Sequence, residues 1–311
     1  MANDVSYYHR GPMVPDRRAG LVWLTSYPKS GNTWFRTVLA ALVAGGDKFD
    51  INDLNHAHSE LITASRVLFH HWTGLHAADL PMSLVRRLRT DIHVTVNAQA
   101  TGVRVMKVHD AWPAQAPGDD TMFPDHATIG TIYLVRNPLD VAISLAAHMS
   151  VTPAESVRFL CNANLVFGKG TAEDGIQPMI RQHMGDWSHH VSGWLAAPLS
   201  RLMVLRYEDM LAEPQRAFEA ALGFAGFTFS AAAIAAALEA TRFDRMQRME
   251  AEHGFNERPP GMSRFFRSGR SGGWRESLTP ADVRLMVDHH EQIMRRFGYL
   301  DENVMDFAAR G

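Results

Sequence analysis

The chain has 311 residues, with 31 lysines and arginines against 33 aspartates and glutamates, so its formal charge is −2 with histidine neutral. Hydrophobic residues at 46% and charged residues at 21% suit a globular chain that buries a large core, which excludes disordered, collagen-like and disulfide-scaffold classes. Near-balanced charge argues against a protein that coats nucleic acid. The lone Cys161 cannot form an internal disulfide, and the amino terminus lacks an apolar signal core, so a cytoplasmic setting is expected. The longest apolar stretch, Ala231 to Leu238, is far short of the ~20 residues a membrane span needs.

Residues 1–19 are polar, contain Pro12, Pro15, Arg17 and Arg18, and read as a flexible lead-in. Leu21 to Ser26 is a nearly continuous apolar run, the pattern of a strand covered on both faces. A turn with Pro28 and Gly31 follows, then Thr33 to Ala44, where Trp34, Val38, Leu39, Leu42 and Val43 recur at helical spacing. Further buried-strand patterns cover Val103 to Val108, Thr128 to Val135 and Arg201 to Leu205. The second of these runs into Arg136-Asn137-Pro138, and Pro138 suits the first turn of a helix reaching Met149. Helical patterns fill 153–167, 181–196, 214–223, 230–240 and 280–297. Strands alternating with helices predict a single α/β domain over 20–300, with a mainly parallel central sheet flanked by helices, and a tail at 301–311. The stretch 254–276 combines glycines, adjacent Pro259 and Pro260, and several arginines, and reads as a long functional loop.

Tyr27-Pro28-Lys29-Ser30-Gly31-Asn32-Thr33-Trp34 lies between the first strand and the first helix. Amides at a helix start are unpaired and carry the positive end of the dipole, so such a turn favours an anion. Gly31 permits close approach, Lys29 supplies charge, and Ser30 and Thr33 supply hydroxyls. The G-x-x-x-x-G-K-[ST] spacing of the nucleoside-triphosphatase loop is missing, because Lys29 precedes Gly31. On its own the turn could also be an ordinary strand–helix junction that happens to hold a lysine.

Four segments in order resemble the sulfotransferases that use 3′-phosphoadenosine 5′-phosphosulfate (PAPS), a P-loop-like nucleotide-binding fold. Thr25 to Trp34 is similar to that family's 5′-phosphosulfate loop, and Tyr133 to Ser144, with Arg136-Asn137-Pro138-Leu139-Asp140, to its 3′-phosphate segment. Val204 to Met210 resembles its strand-end Tyr-Glu-Asp motif, and Arg267 to Trp274 its glycine-rich loop. The resemblance spans roughly 21–298. It implies that Lys29 and the Ser30, Gly31, Asn32, Thr33 and Trp34 turn bind the 5′ end of the nucleotide. It likewise implies that Arg136 and Ser144 hold the 3′-phosphate with Arg267, Ser268 and Gly269. Tyr207, Thr241 and Phe243 fall where the family contacts the adenine; Phe243 and Trp34 could equally be core.

Lys107-Val108-His109 ends the Val103 to Val108 run, and side chains two apart on a strand share a face. The family places a Lys-x-His there, before a proline-containing turn that is here Asp110-Ala111-Trp112-Pro113. This implies His109 as the base that takes the acceptor proton, Lys29 and Lys107 as cations for developing charge, and PAP, the 3′,5′-bisphosphate, as product without a metal. Asp110 is the alternative base.

Two departures stand out: Ser268 replaces a usual lysine, with Arg270 the nearest substitute, and Gly273 stands where aspartate is common. No match to the family's short dimerisation motif is found, which leaves oligomeric state open. The paired histidines (His56 with His58, His70-His71, His189-His190, His289-His290) lack cysteine partners or a His-Glu-x-x-His pattern, so no metal site is expected. Phe69, Trp72, Trp112, Phe123, Phe167, Phe255, Phe265 and Phe266 lie in the segments left to build the acceptor pocket. They point to an aromatic or lipophilic alcohol, with an amine still open. A nucleotide kinase or a non-catalytic bisphosphate-binding module are the competing readings; the first lacks its Gly-Lys-Ser/Thr, and the second would not need Lys107 and His109.

Overall fold

The computed structural model describes residues 7–16, 19–46, 48–54, 61–112, 122–168 and 179–310. Its elements are, in order, β1 (Tyr7–Arg10), β2 (Gly20–Ser26), α1 (Asn32–Ala44), β3 (Leu61–Ile62), α2 (Arg66–Thr73), α3 (Met82–Ala98) and β4 (Val103–Val108). Then come β5 (Thr128–Val135), α4 (Pro138–Met149), α5 (Pro153–Leu160), β6 (Val166–Phe167), β7 (Gln182–His183) and α6 (Trp187–Ala196). The chain continues through β8 (Leu202–Arg206), α7 (Tyr207–Ala212), α8 (Pro214–Ala225), α9 (Ala231–Ala240) and α10 (Phe243–His253), and ends with α11 (Pro280–Arg296) and α12 (Glu302–Ala308).

Six strands form the central sheet in the order β1-β8-β5-β2-β4-β3, every pair parallel except β1 with β8. All residues of β2 and β5 are buried, as their unbroken apolar runs require of strands covered on both faces. Alternate residues of β2 feed separate cores. Leu21 and Trp23 pack with Val85 of α3, Val157 of α5, Trp194 of α6 and Met286 of α11. Val22 and Leu24 pack with Phe35 of α1, Phe218 of α8 and Ile234 of α9. No helix among the described residues is long and apolar enough to cross a membrane.

Strand and helix expectations are met at β2, β4, β5, β8, α1, α4, α8, α9 and α11 to within a residue or two at the ends. The patterns at 153–167 and 181–196 are too long. Val166–Phe167 and Gln182–His183 pair with each other as an antiparallel ribbon, so those helices reduce to α5 and α6. Within the expected lead-in, β1 closes the sheet edge, and Arg201 donates to the Pro12 carbonyl at 2.8 Å and the Met13 carbonyl at 3.1 Å. The tail at 301–310 folds back as α12, with Phe307 edge-on to the buried Trp274.

Candidate functional site

The carboxyl ends of β2, β4, β5 and β8 open into one cleft of about 920 Å³, the usual ligand edge of a parallel α/β sheet. At the end of β2 the chain turns through Lys29 (φ 70°) and Gly31 (φ 103°) into α1. Gly31 is required here, since a Cβ would lie 2.8 Å from Cδ2 of Tyr207. No side chain caps α1, so its first amides face the cleft unpaired. Ser30 is fully buried beneath the turn and does not line the cleft, and its hydroxyl has no partner within the protein. Asn32 differs: its side-chain amide donates to the Leu24 carbonyl at 3.0 Å and ties the turn to the strand. Thr33 and Trp34 line the cleft, the indole edge-on to Tyr207 (6.0 Å) and Phe218 (5.5 Å).

Arg136, at the end of β5, is 8% exposed and makes no ion pair among the described residues. Its guanidinium donates to the carbonyls of Lys29 (2.9 Å) and Arg270 (3.2 Å), lies 4.3 Å from the Tyr207 ring centre, and keeps a buried Nε–H without a partner. Ser144 lines the same cleft two turns along α4. Asp140, one turn after Arg136, accepts from the Ser271 hydroxyl (3.0 Å) and the amides of Gly272 (2.7 Å) and Trp274 (3.2 Å), fixing the glycine-rich loop. That loop brings Arg267, Ser268 and Gly269 to the cleft wall. Gly269 (φ 60°) lies so close to the Phe243 ring that a Cβ would come within 2.3 Å of Cδ2. Thr241 lines the wall too, its hydroxyl donating to the Ala237 carbonyl at 2.8 Å. Arg270 does not stand in for the missing lysine at 268, because its side chain turns outward to Glu276 at 2.8 Å.

Lys107 and His109 meet these groups at the other end of the cleft, on one face as their spacing predicts. His109 Nδ1 lies 2.8 Å from the Ser26 carbonyl, which can only accept, so Nδ1 carries the hydrogen and Nε2 keeps its lone pair. Burial, reinforced by Lys107, pulls His109 down to about 3, so the ring is neutral. Behind it, His190 donates through Nε2 to the His109 carbonyl (3.1 Å) and accepts from the Tyr133 hydroxyl (2.8 Å). Asp110 is not an alternative base: Arg89 grips both its oxygens, at 3.1 and 2.8 Å, away from the cleft.

Burial, with Lys107 and Arg136 adding to it, brings Lys29 down to about 7, and its ammonium sits 4.1 Å from the centre of the Phe265 ring. Three lining groups escaped sequence reasoning. Glu257 holds Lys107 at 3.2 Å and the buried Arg36 at 2.7 Å. His148, one turn beyond Ser144, reaches the cleft with an unpartnered Nδ1, and Gln182 enters from β7. A helical spacing of four from Ser144 could have flagged His148; nothing local marked Glu257.

Of the aromatic residues expected around the acceptor, Phe167, Phe265 and Phe266 line the cleft. Phe69, Trp112, Phe123 and Phe255 are core, and Trp72 packs on the core from its edge. Among the described residues no group of three or more His, Cys, Asp or Glu could hold a metal ion. Arg17, Arg18, His56, His58 and Pro113 lie outside the described residues.

An anion-accepting turn at a sheet's carboxyl edge, faced by arginines and an aromatic slot, defines a nucleotide-binding α/β protein. A family model described as a sulfotransferase domain matches residues 20–298, and the chain belongs to that family. It is 23% identical to cytosolic sulfotransferase 13 of Arabidopsis thaliana, over 83% of this chain and 71% of that protein. Against sulfotransferase 1A1 of Bos taurus it is 24% identical, over 87% of this chain and 82% of that one. Among solved structures, mouse sulfotransferase SULT7A1 complexed with PAP superposes with a TM-score of 0.55 at 17% identity, covering 93% of this chain and 91% of that one. Retinol dehydratase, in complex with androsterone and PAP, gives 0.51 at 18% identity over 88% and 80%. These likenesses fix the fold.

Proposed function

We propose that the protein is a PAPS-dependent sulfotransferase acting on the hydroxyl of a small apolar acceptor, with PAP as the nucleotide product. The observation that carries this reading is a neutral histidine, its Nε2 lone pair free, in the same cleft as Lys29, Lys107, Arg136 and Arg267. Arg136, Ser144, Arg267, Ser268 and Gly269 suit a terminal phosphate, while Lys29 and the Ser30–Trp34 turn suit the 5′ side. Trp34, Tyr207, Thr241 and Phe243 offer a flat slot for the adenine. That structural neighbours were solved with PAP supports that nucleotide as the ligand.

In the transfer, the acceptor oxygen bonds to sulfur as the bond from sulfur to the phosphate oxygen breaks, and His109 Nε2 takes the hydroxyl proton. Lys29 and Lys107 offset charge growing on the leaving and sulfuryl oxygens, and fixed cations act without reorganising. No residue in this scheme calls on a metal. An anionic group beside Lys107 also relieves the repulsion that depresses His109, so the base strengthens as the site fills.

Ile62, Phe167, Met179 and Phe265 give the acceptor end apolar walls, with His148 and Gln182 as its polar points. This suits an aromatic or lipophilic alcohol, and relatives named for a flavonol, or solved with retinol or androsterone, fit the same class. The setting we assign is cytoplasmic, where the lone Cys161 stays reduced.

Incubation with radiolabelled PAPS or ATP and a panel of alcohols and amines tests the reaction. Label should pass from PAPS to an apolar alcohol and none from ATP. His109→Ala should lower turnover by about 10²–10⁴-fold while PAP affinity by calorimetry stays within a factor of three or so. Near-normal turnover in that variant removes His109 from the role of base.

A further inference from the structure

Glu257 places a carboxylate where an anionic sulfuryl group is to be handled, which works against donor binding unless the carboxylate serves another group there. Its two oxygens are both engaged by cations. Oε1 accepts from Arg36 at 2.7 Å, and Oε2 from Lys107 at 3.2 Å. Arg36 is fully buried in α1, and its Nε and Nη2 have no partner, so without Glu257 its charge would be uncompensated. Lys107 is nearly as enclosed, its side chain 13% exposed. An ammonium has three N–H donors; Glu257 takes one and fixes the stem, leaving two for the cleft.

Glu257 also belongs to the segment that covers the cleft. Phe265, which lies over Lys29, and Arg267–Gly269, at the donor end, sit on the same stretch of chain. Glu250 of α10 anchors that stretch by accepting from the amides of Phe265 (2.7 Å) and Phe266 (3.0 Å). The only strap from it to the end of β4, among the hydrogen bonds of the described residues, is Glu257.

We propose that Glu257 is a positioning residue: it is the counter-ion of Lys107 and straps the covering segment 254–269 to the transfer site, so that Lys107 is charged and aimed only while that segment is seated. This rests on the sulfotransferase reading for its kinetic consequence, not for its electrostatic one. Burial disfavours the charged form of Lys107, and Arg36 adds to that; Glu257 is the group that opposes both. Lys29, His109 and His148 also face Lys107, and none of them carries negative charge. Burial alone would raise the Glu257 carboxyl, but Lys107 and Arg36 outweigh it and hold it down to about 2, so the strap is ionised throughout the working range.

The test reads Lys107 directly in the full chain. Competitive acetylation with acetic anhydride across a pH series, followed by peptide mass spectrometry, reports the amine's protonation without turnover. In E257Q, Lys107 should label as a free amine at a pH at least about one unit lower than in wild type, a shift worth tenfold in the protonation equilibrium. E257D should restore most of the difference. With PAPS and an active alcohol, the alkaline limb of kcat in E257Q should move the same way. If E257Q does not fold because Arg36 is left bare, R36M/E257Q is compared with R36M, so that loss of the Arg36 charge, which itself disfavours charged Lys107, is common to both and the remaining shift reports Glu257. Superimposable labelling curves for wild type and E257Q would overturn the proposal. An inactive wild type whose Lys107 still shifts would instead overturn the reaction and leave the counter-ion standing.

Discussion

The turn at 27–34 takes its shape mainly from residues adjacent in sequence, whereas the stretch at 254–274 takes its shape from carboxylate contacts to other parts of the chain. In the turn, the end of β2, two left-handed residues and the start of α1 set the geometry, and Asn32 ties it back to Leu24 within the same unit. In the segment, Asp140 holds residues 271–274, Glu250 holds 265–266, and Glu257, itself part of the segment, reaches out to Arg36 and Lys107. One half of the proposed donor site is therefore set largely by local backbone preference, with Arg136 adding a hydrogen bond to the Lys29 carbonyl. The other is assembled only once α1, β4, α4 and α10 are in place, and it is the half expected to respond to ligand and to charge.

The strongest blow to the local half is Gly31→Ala. It combines a backbone conformation that L residues avoid with a methyl 2.8 Å from a ring held under Arg136. PAP affinity should fall by about a hundredfold or more, equivalent to roughly 3 kcal/mol, with the circular dichroism spectrum unchanged. Affinity near wild type in calorimetry would show that the turn's shape is not set as described.

Asp140→Ala strikes the assembled half. Three hydrogen bonds to one buried carboxylate are lost, and a loss of about 1–3 kcal/mol in loop ordering is expected. PAP affinity should drop by about ten- to a hundredfold, and limited proteolysis should open new cleavage between Arg267 and Arg275. A variant as resistant as wild type would place the loop's order elsewhere.

The mildest expected effect is on pH. Lys29 is held near 7 in the free protein by burial and neighbouring cations, and a bound polyanion favours its charged form. Binding therefore takes up protons, and PAP affinity should weaken severalfold from pH 6 to pH 8.5, with buffer-dependent calorimetric heats reporting the uptake. Lys29→Arg, always charged, should flatten that slope.

This contrast also explains what could be read from the sequence. Lys29, Gly31, Arg136 and Lys107-x-His109 lie at ends of continuous apolar strands, where local pattern and chemistry coincide, and the structure brings all of them into one cleft. Glu257, Glu250 and Arg36 are ordinary surface residue types in sequence; only distant packing turns them inward. The same cause shortened two predicted helices, since the pairing of Val166–Phe167 with Gln182–His183 is non-local. Helices α2 and α3 were also missed, because polar residues interrupt their apolar faces, and Phe243 starts a strongly charged α10 while its ring leans on the Gly269 backbone.

The antiparallel pairing of β1 with β8 has a practical side. Those four residues are what keeps the ladder of β8 from presenting bare backbone groups to solvent, and Arg10 fastens them to the carbonyls of Leu195 and Ala197. A recombinant version trimmed past residue 10 would carry a sticky flank, inviting a neighbouring molecule to supply the missing strand, so preparations should keep this segment and place any purification tag at the far terminus.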